Sequence, residues 1–282
     1  MEIIKGTNTA EFKRLYDDFA QSVFDVSFMP WFKLDVWTDD CEIYCMVHEG
    51  KIIANVSVYK MRMRIGGKKR SAIQLGAVGT LPQYRRQHIS KQLMEYVFEK
   101  YKSVPAFLVA NCEVKDFYPK FGFKLLEEKI PVTLPALKFK PNRMVKIKYA
   151  PSVINEYLKN RVALSKRLQV ASALPIVHFH IAVEFYEDIY YIADFDMIII
   201  AKQFGNVLRI FDMITRMYFT FDEIAPYLDF KGVEKIEFMF QPDAIIENYS
   251  LQQDIHCEEY GLFFTKNMEF TNLDKYPYIL ST

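Results

Sequence analysis

The sequence lacks the long apolar stretch that a membrane-spanning helix requires. Such a helix needs about 20 predominantly apolar residues, whereas the densest apolar run, Met197–Ala201, is the length of a strand and follows Asp194 and Asp196. The first residues, Met1–Gly6, contain neither the basic segment nor the apolar core of a signal peptide. We therefore expect a cytoplasmic protein with no membrane partner.

The sequence also contains few glycines and prolines, and its net charge is close to zero. The 282 residues include 10 Gly and 12 Pro, which excludes a collagen-like or low-complexity chain. Lys and Arg total 36 against 35 Asp and Glu, so the formal net charge is +1. A chain without an excess of one sign creates no general attraction for polyanions, and we expect no nucleic-acid partner.

Cysteine is rare as well. The four cysteines, Cys41, Cys45, Cys112 and Cys257, form no CxxC pair, and a chain of this length needs no covalent staples. This pattern predicts four reduced thiols. Cys41, Cys45 and His48 have a spacing that faintly resembles metal ligands, but no second ligand pair follows, so we expect no metal.

Apolar residues, in contrast, are abundant. Hydrophobic residues make up 51% of the chain and aromatic residues 16%, enough for sizeable cores and for two domains. Residues 1–130 alternate helix and strand patterns. The predicted order begins with a helix at 9–24, a short helix or ordered loop at 29–37 and a three-stranded meander over 42–81. A helix at 87–101, a strand at 106–110, a short helix at 114–120 and a final strand follow. This order predicts an α/β fold with a mixed sheet and one crossover.

A boundary is predicted at residues 131–142, where Pro131, Pro135 and Pro141 favour an extended connector. Residues 1–130 carry a net charge of +4 and residues 131–282 one of −3. The second part repeats the order helix, meander, helix, strand, which suggests a degenerate internal duplication. It has no arginine-rich loop between Thr215 and Phe221, so we expect no second anion site there.

The most informative stretch follows the strand that ends at Leu81-Pro82. Arg85 and Arg86 come next, and a helix opens immediately after them. A helix N-terminus presents unpaired N–H groups and a partial positive charge, to which the arginines add full charges. The arrangement suits a pyrophosphate. The alternative is an exposed basic turn that precedes a helix.

This stretch resembles the acetyl-CoA signature of the Gcn5-related N-acetyltransferase (GNAT) superfamily, a strand and Pro-x-Tyr-Arg followed by a Q/R-x-x-G-x-G/A loop. The chain has Pro82, Tyr84 and Arg85-Arg-Gln-His-Ile-Ser90, with His88 and Ser90 in place of the two glycines. A second segment, Phe117-Tyr-Pro-Lys-Phe-Gly-Phe123, is similar to the family's F-Y-x-K-x-G-F. The whole chain resembles the enhanced intracellular survival branch. That resemblance implies a GNAT domain at 1–130 and a degenerate GNAT-like domain at 131–282.

The resemblance also implies site residues. Tyr118 occupies the family's general-acid position, where a phenol can reprotonate the departing thiolate; the other reading of Tyr118 is a core aromatic. The residues implied to bind acetyl-CoA, the expected co-substrate, are Val78, Gly79, Thr80, Arg85, Arg86, Gln87, His88, Ile89, Ser90, Lys91 and Asn111. The base is not identified. Its candidates are Glu113, Asp116, His88 and, by likeness to the branch's C-terminal carboxylate, Thr282.

The acceptor is expected to be a primary amine of a small cation, such as an aminoglycoside-like molecule, a polyamine or a peptide amine. Trp31, Asp35 and Trp37 combine aromatic rings with a carboxylate, which suits a cation. The alternative is that the rings pack into the sheet. Two rival functions stay open: a non-catalytic ligand-binding or scaffold protein that keeps the fold, and an enzyme for longer acyl donors. The second part would wall the acceptor pocket or form a homo-oligomer contact.

Two further patterns receive structural interpretations. The basic residues from Lys60 to Arg70 flank a turn at Gly66-Gly67 and predict a solvated hairpin rather than a nucleic-acid surface. His178-Phe-His180 has the alternation of a strand, and no Cys or further His lies nearby in the sequence to complete a metal site.

Overall fold

A computed structural model describes residues 1–136, 139–140, 143–171 and 173–282. The predicted connector prolines Pro131 and Pro135 lie within these ranges, whereas Pro141 and Asn142 lie outside the described residues. In chain order, the elements up to residue 133 are β1 (Glu2–Lys5), α1 (Ala10–Phe24), α2 (Met29–Lys33), β2 (Cys41–His48), β3 (Lys51–Ile65), β4 (Lys68–Thr80), α3 (Ile89–Lys100), β5 (Ala106–Ala110), β6 (Lys124–Leu126) and β7 (Lys129–Thr133).

The remaining elements belong to the second part of the chain. They are β8 (Met144–Lys146), α4 (Pro151–Lys159), β9 (Leu168–Val170), α5 (Leu174–Val183), β10 (Ile189–Ile192), β11 (Met197–Phe204), β12 (Val207–Ile214), α6 (Phe221–Ile224), β13 (Lys235–Phe238), β14 (Ser250–Gln253), α7 (Cys257–Tyr260) and β15 (Leu262–Lys266). Among the described residues, no helix is long and apolar enough to cross a membrane.

The first sheet has the strand order β1-β2-β3-β4-β5-β15-β6, and β9 pairs with the outer part of β3. β2, β3 and β4 form the predicted antiparallel meander, and α3 carries the chain over to β5, which runs parallel to β4. Helix α1 begins where predicted, because the Thr9 side chain accepts a hydrogen bond from the Phe12 N–H. Its buried face, which includes Phe12, Tyr16 and Phe19, covers the sheet.

The second sheet repeats this topology with the order β14-β7-β13-β12-β11-β10-β8. β10, β11 and β12 form a meander, and α6 carries the chain to β13, which runs parallel to β12. The predicted fold class, a mixed α/β GNAT-like unit followed by a second one, is thereby present in both sheets.

One strand of each sheet comes from a distant part of the chain. In the first sheet β15 lies antiparallel between β5 and β6. In the second sheet β7 lies antiparallel between β13 and β14. The two inserted strands occupy equivalent positions. β15 comes from beyond the predicted division at residue 130, whereas β7 spans that division.

The last six residues, Pro277–Thr282, form a segment that contacts both sheets, and we call it the C-terminal strap. The Tyr278 N–H donates to the Met239 carbonyl, immediately after β13, at 2.9 Å. The Thr282 hydroxyl donates to the Leu75 carbonyl of β4 at 3.0 Å. The strap therefore connects the parallel strand pair of one sheet with that of the other.

Two expectations are corrected by the structure. His178 and His180 lie on helix α5 rather than on a strand, and burial lowers the pKa of His178 to about 4. Both ring nitrogens of His178 are hydrogen-bonded, to the Tyr149 hydroxyl and to Asn155. Cys112 and Cys257 form a disulfide with Cα atoms 6.0 Å apart, so the expectation of four reduced thiols is wrong for this pair.

Candidate functional site

The two parallel strands of the first sheet separate partway along their length. β4 pairs with β5 only at Ile73–Leu75 opposite Ala106–Leu108, although β4 continues to Thr80 and β5 to Ala110. The main chain of Ala77–Gly79 is therefore not bonded to β5, and these residues are partly exposed. Unpaired strand N–H and C=O groups can bind an extended ligand as an added strand would. We call this opening the wedge.

A β-bulge sets the shape of β4 at the wedge. The register between β3 and β4 shifts between Asn55 and Ser57, and Ala77 has a φ of +47°. The buried Asn55 side chain donates from Nδ2 to the Ala77 carbonyl at 2.8 Å and to Ser57 Oγ at 3.0 Å. Asn55 thus holds the bulge from behind. Asn55 is not identifiable from the sequence, because a bulge partner leaves no pattern in a single sequence.

Helix α3 begins beside the wedge, and its first N–H groups are left open. No side chain among the described residues caps this N-terminus. The preceding loop, from Arg85 to His88, is exposed. The Arg85 side chain donates from Nε to the Thr80 carbonyl at 3.2 Å, which holds the loop against the end of β4. The structure therefore brings an uncapped helix N-terminus and two arginines together with the wedge.

The residues that replace the signature glycines adapt to the loop. His88 has a φ of +61° and Arg86 a φ of +64°, which are left-handed conformations. His is among the non-glycine residues found more often in that region. The loop therefore keeps a backbone that glycine would adopt. The Ser90 and Thr80 hydroxyls form a hydrogen bond of 2.5 Å that joins α3 to β4.

Tyr118 lies in a short 3-10 helix, Tyr118–Phe121, that follows β5 in the chain. Its ring packs against Phe117, Phe123 and Phe264 and is 5% exposed, and burial raises its pKa well above the usual value near 10. The hydroxyl makes no hydrogen bond within the described part of the chain. No described side-chain polar atom is both buried and unpaired. The Tyr118 hydroxyl therefore faces accessible space while its ring is core.

The other residues predicted to bind acetyl-CoA border the same region. Asn111 is exposed directly after β5 and accepts a hydrogen bond from the Glu113 N–H at 3.0 Å. Gln87 donates from its side chain to the Gln83 carbonyl at 3.1 Å. On α3, Lys91 Nζ lies 3.7 Å from Glu95 Oε1. Ile89 is buried beneath the first turn of the helix.

The four candidate bases lie at different places. Glu113 and Asp116 are exposed on the loop after β5, and His88 is exposed in front of α3. Thr282 lies at the closed end of the wedge, where its hydroxyl also accepts a hydrogen bond from Gln74 Nε2 at 2.8 Å. A Cβ added to Gly76 would lie 2.4 Å from the Thr282 Cβ, so this close approach requires glycine.

The predicted acceptor residues are not gathered into one open site. Trp31 is 2% exposed, and its indole N–H donates to the Pro175 carbonyl of α5 at 2.8 Å. Trp37 donates to the Cys41 carbonyl at 2.8 Å and packs against Phe12 and Phe32. Only Asp35 is exposed. The two rings are therefore engaged in packing within the described structure, as the alternative interpretation expected.

Comparison with known proteins agrees with this geometry. Residues 4–126 match the model of a family described as "Acetyltransferase (GNAT) domain". The resemblance inferred from residues 78–90 and 117–123 is thereby confirmed over that segment. No curated protein matches the sequence.

Several solved structures share the fold at low identity. A probable N-acyltransferase from Enterococcus faecalis V583, described as a conserved protein of unknown function, has 14% identity and a TM-score of 0.62, with 96% of this chain and 74% of that chain covered. Eis1 from Mycobacterium abscessus has 13% identity, coverages of 94% and 73% and a TM-score of 0.56. A putative acetyltransferase from Pyrococcus horikoshii has 11% identity, coverages of 99% and 96% and a TM-score of 0.51. These likenesses confirm the predicted fold class over nearly the whole chain.

Proposed function

We propose that this chain is an N-acetyltransferase that transfers the acetyl group of acetyl-CoA directly to a primary amine. The observation that carries the proposal is the wedge. Main chain of β4 that is not bonded to β5 lies beside the uncapped N-terminus of α3, with Arg85 and Arg86 in front and the Tyr118 hydroxyl in accessible space. These groups suit a thioester attached to a pyrophosphate.

The residues around the wedge fit acetyl-CoA by their chemistry. Main-chain groups of Val78–Thr80 would bond the amide-rich arm as an added strand does. The N–H groups that open α3, together with Arg85 and Arg86, would bind the pyrophosphate by charge-assisted hydrogen bonds. The exposed side chains of Gln87 and Lys91 and the carboxamide of Asn111 border the same surface.

The reaction requires two proton movements. The amine nitrogen attacks the thioester carbonyl carbon, the C–S bond breaks, and the thiolate accepts a proton from the Tyr118 hydroxyl. Because burial raises its pKa, Tyr118 stays protonated at neutral pH and is available as a donor. The amine must lose a proton to a base. Glu113, Asp116, His88 and Thr282 all stay candidates for this base.

For the acceptor, we propose a primary amine of a small cationic molecule, held by the exposed carboxylate of Asp35. Trp31 is buried, whereas Trp37 is half-buried and could add a cation–π contact beside Asp35. An aminoglycoside-like molecule, a polyamine and a peptide amine are the classes to compare.

The first test is calorimetric titration with acetyl-CoA and, in parallel, with desulfo-CoA. We expect a Kd in the micromolar range, about −8 kcal/mol. A thiol-release assay with the three amine classes then measures transfer. The matched control is Arg216→Gln, which removes an arginine from the corresponding loop of the second sheet and should leave the Kd unchanged. No binding at millimolar acetyl-CoA would instead favour a scaffold that keeps only the fold.

A further inference from the structure

A second cavity lies between the two parts of the chain and contains no residue of the wedge. Its volume is about 980 Å³, it is open to solvent on one side, and it is bordered by the outer part of the β3–β4 hairpin, β9, α4, the segment 161–165 and the C-terminal strap. Small-molecule sites in proteins have volumes of about 300–1,000 Å³. The cavity is therefore large enough for a ligand of its own.

The interior of this cavity is apolar. Its walls include Leu158 and Val162 from one side, Leu174 and Val177 from α5, and Ile279 and Leu280 from the strap. Such a lining favours the aliphatic or aromatic body of a ligand, because removing apolar surface from water stabilises the complex by roughly 25 cal/mol per Å².

The rim of the cavity is strongly basic. Six cationic side chains line it, whereas Asp212 is its one carboxylate among the described residues and is bonded to Arg161. The six are Arg62, Arg64, Lys69, Arg70, Lys159 and Arg161. Arg62 is paired with Asp40 and Lys159 with Glu156.

Three of these cations have no carboxylate to neutralise them. Arg64, Lys69 and Arg70 are exposed, and no Asp or Glu oxygen of the described structure lies within 4.0 Å of their charged nitrogens. In the register of the hairpin Arg64 pairs with Lys69 and Met63 with Arg70, so Arg64 and Lys69 lie on one face of the strands and Arg70 on the other. All three line the cavity, because they lie beside the tight turn at Gly66-Gly67. The hairpin places three uncompensated charges at the mouth of an apolar cavity.

We propose that this cavity binds an amphipathic anion, a small molecule with an aliphatic or aromatic body and a carboxylate, sulfate or phosphate group. The apolar walls would hold the body, and Arg64, Lys69 and Arg70 would hold the anionic group. This charge is opposite to that of the proposed amine acceptor, so the site goes beyond the acetyltransferase reaction. The C-terminal strap connects this cavity with the wedge, because Leu280 lines the cavity and Thr282 contacts Gly76.

The test is calorimetric titration of the full chain with dodecanoate below its micellar concentration. The oppositely charged probe dodecyltrimethylammonium has the same chain length. We expect one dodecanoate per chain, bound at least about 10-fold more tightly than the cation, a difference of about 1.4 kcal/mol. Affinity for dodecanoate should fall as salt is added, because salt screens exposed charges. Equal affinity for the two probes would overturn the proposal.

Two variants separate the charge from the apolar walls. The triple variant R64E/K69E/R70E should raise the dodecanoate Kd at least about 10-fold, whereas K51E/K148E/K231E, an equal charge change at exposed sites elsewhere, should leave it within about twofold. Ala163→Trp fills part of the cavity. It should lower the affinity for dodecanoate and should not raise the affinity for dodecyltrimethylammonium. If the two triple variants raised the dodecanoate Kd equally, the site would be a nonspecific basic surface. The same conclusion would follow if the protein bound an oligonucleotide tightly and R64E/K69E/R70E abolished that binding.

Acetyl-CoA is titrated with each of these variants. A protein that fails to bind acetyl-CoA but discriminates between the two probes would contradict the proposed function and support this cavity. The converse result is normal binding of acetyl-CoA with equal affinity for the two probes. It would support the proposed transferase function and contradict the proposed anion site in the cavity.

Discussion

The two sheets share one topology but differ at the point where their parallel strands separate. In the first sheet the last bonded pair is Leu75 and Leu108, and in the second it is Ile210 and Phe238. The five residues that follow are Gly76-Ala-Val-Gly-Thr80 in β4 and Phe211-Asp-Met-Ile-Thr215 in the equivalent stretch. Ala77–Gly79 are partly exposed, whereas all five of the second set are buried.

Side-chain size explains this difference. In the second sheet the Phe211 ring packs 4.4 Å from the Phe185 ring and 5.6 Å from the Tyr278 ring of the strap, measured between centroids. In the first sheet the equivalent residue is Gly76, and the smaller Thr282 lies against it. The second sheet is therefore covered beyond its last bonded pair by the rings of Phe211, Phe185 and Tyr278, whereas the first sheet leaves main chain accessible.

The N-termini of the helices that follow β4 and β12 also differ, and the difference is one of charge. The N-terminus of α6 has a capping box, in which Glu223 accepts hydrogen bonds from the Thr220 N–H at 2.7 Å and the Thr220 hydroxyl at 2.9 Å. A carboxylate at that position repels an anion. The N-terminus of α3 has Arg85 and Arg86 instead. A duplicated fold can thus keep one binding end and close the other by changing a few residues.

The largest expected effect concerns the rings that cover the second sheet. Phe211→Ala removes a ring that is 1% exposed and should lower the free energy of unfolding by about 3–5 kcal/mol. Chemical denaturation measures this change. Tyr186→Ala, which removes a ring that is 57% exposed, should change stability by no more than about 0.5 kcal/mol. Equal effects would mean that the second sheet does not depend on these rings.

Next in size is the loss of the proposed acid. Tyr118→Phe keeps the ring packing and should lower kcat about 100-fold while the acetyl-CoA Kd stays within about twofold. Because burial raises the pKa of Tyr118, its neutral form persists above pH 10, so this group should cause no loss of rate between pH 7 and 10. Tyr190→Phe on β10 is the hydroxyl-deletion control in the second sheet. Unchanged turnover in Tyr118→Phe would remove the assignment.

A smaller effect is expected at the closed end of the wedge. Gly76→Ala introduces a Cβ that would overlap Thr282, and relief requires the strap to move. We expect a loss of about 1–3 kcal/mol in stability, typical of overpacking, and slower transfer because the end of the strap is displaced. Adding Thr282→Gly to this variant removes the side chain that the new Cβ would overlap, and it should restore most of the lost stability. An equal loss with and without Thr282→Gly would contradict a close contact.

Much of the fold and part of the site could be predicted from local sequence. The Thr9 cap, the meander, α3 and the capping box at Thr220 are local features, and each is present. The exposed basic loop before α3, which we propose as an anion site, was predicted because Arg85 and Arg86 adjoin the start of a helix. Such features depend on residues close together in the chain, so one sequence suffices to identify them.

The remaining features depend on contacts distant in sequence. The exchange of β7 and β15 joins strands more than 100 residues away from their partners, such as Leu262 and Ala110, and no local pattern encodes that pairing. His178 and His180 were assigned to a strand because a short apolar run fits either period, and tertiary packing decides for the helix. The disulfide between Cys112 and Cys257 is another such contact.

The arginines allow the two loops to be compared directly. Arg85→Gln and Arg86→Gln should each raise the acetyl-CoA Kd about 10-fold, because each removes a charge-assisted contact worth about 1.5 kcal/mol. Arg216→Gln removes the arginine that precedes α6 and pairs with Asp196, and it should leave the Kd unchanged. A weakened affinity in Arg216→Gln would show that the second sheet also contributes an anion site.

The smallest effect is expected from restoring the glycine of the signature. His88→Gly relieves a left-handed conformation at φ +61°, which costs a non-glycine residue about 1 kcal/mol, but glycine also gives the unfolded chain more freedom. The two contributions nearly cancel, so stability should change by less than about 1 kcal/mol. Acetyl-CoA should bind a few-fold more tightly, because no side chain then stands beside the pyrophosphate site. His88→Ala is the matched control, since alanine keeps the Cβ that the left-handed conformation disfavours, and it should not gain affinity. If His88→Gly instead lost affinity, the imidazole itself would be a phosphate ligand, and the loop would bind anions by a side chain where the family signature uses main chain.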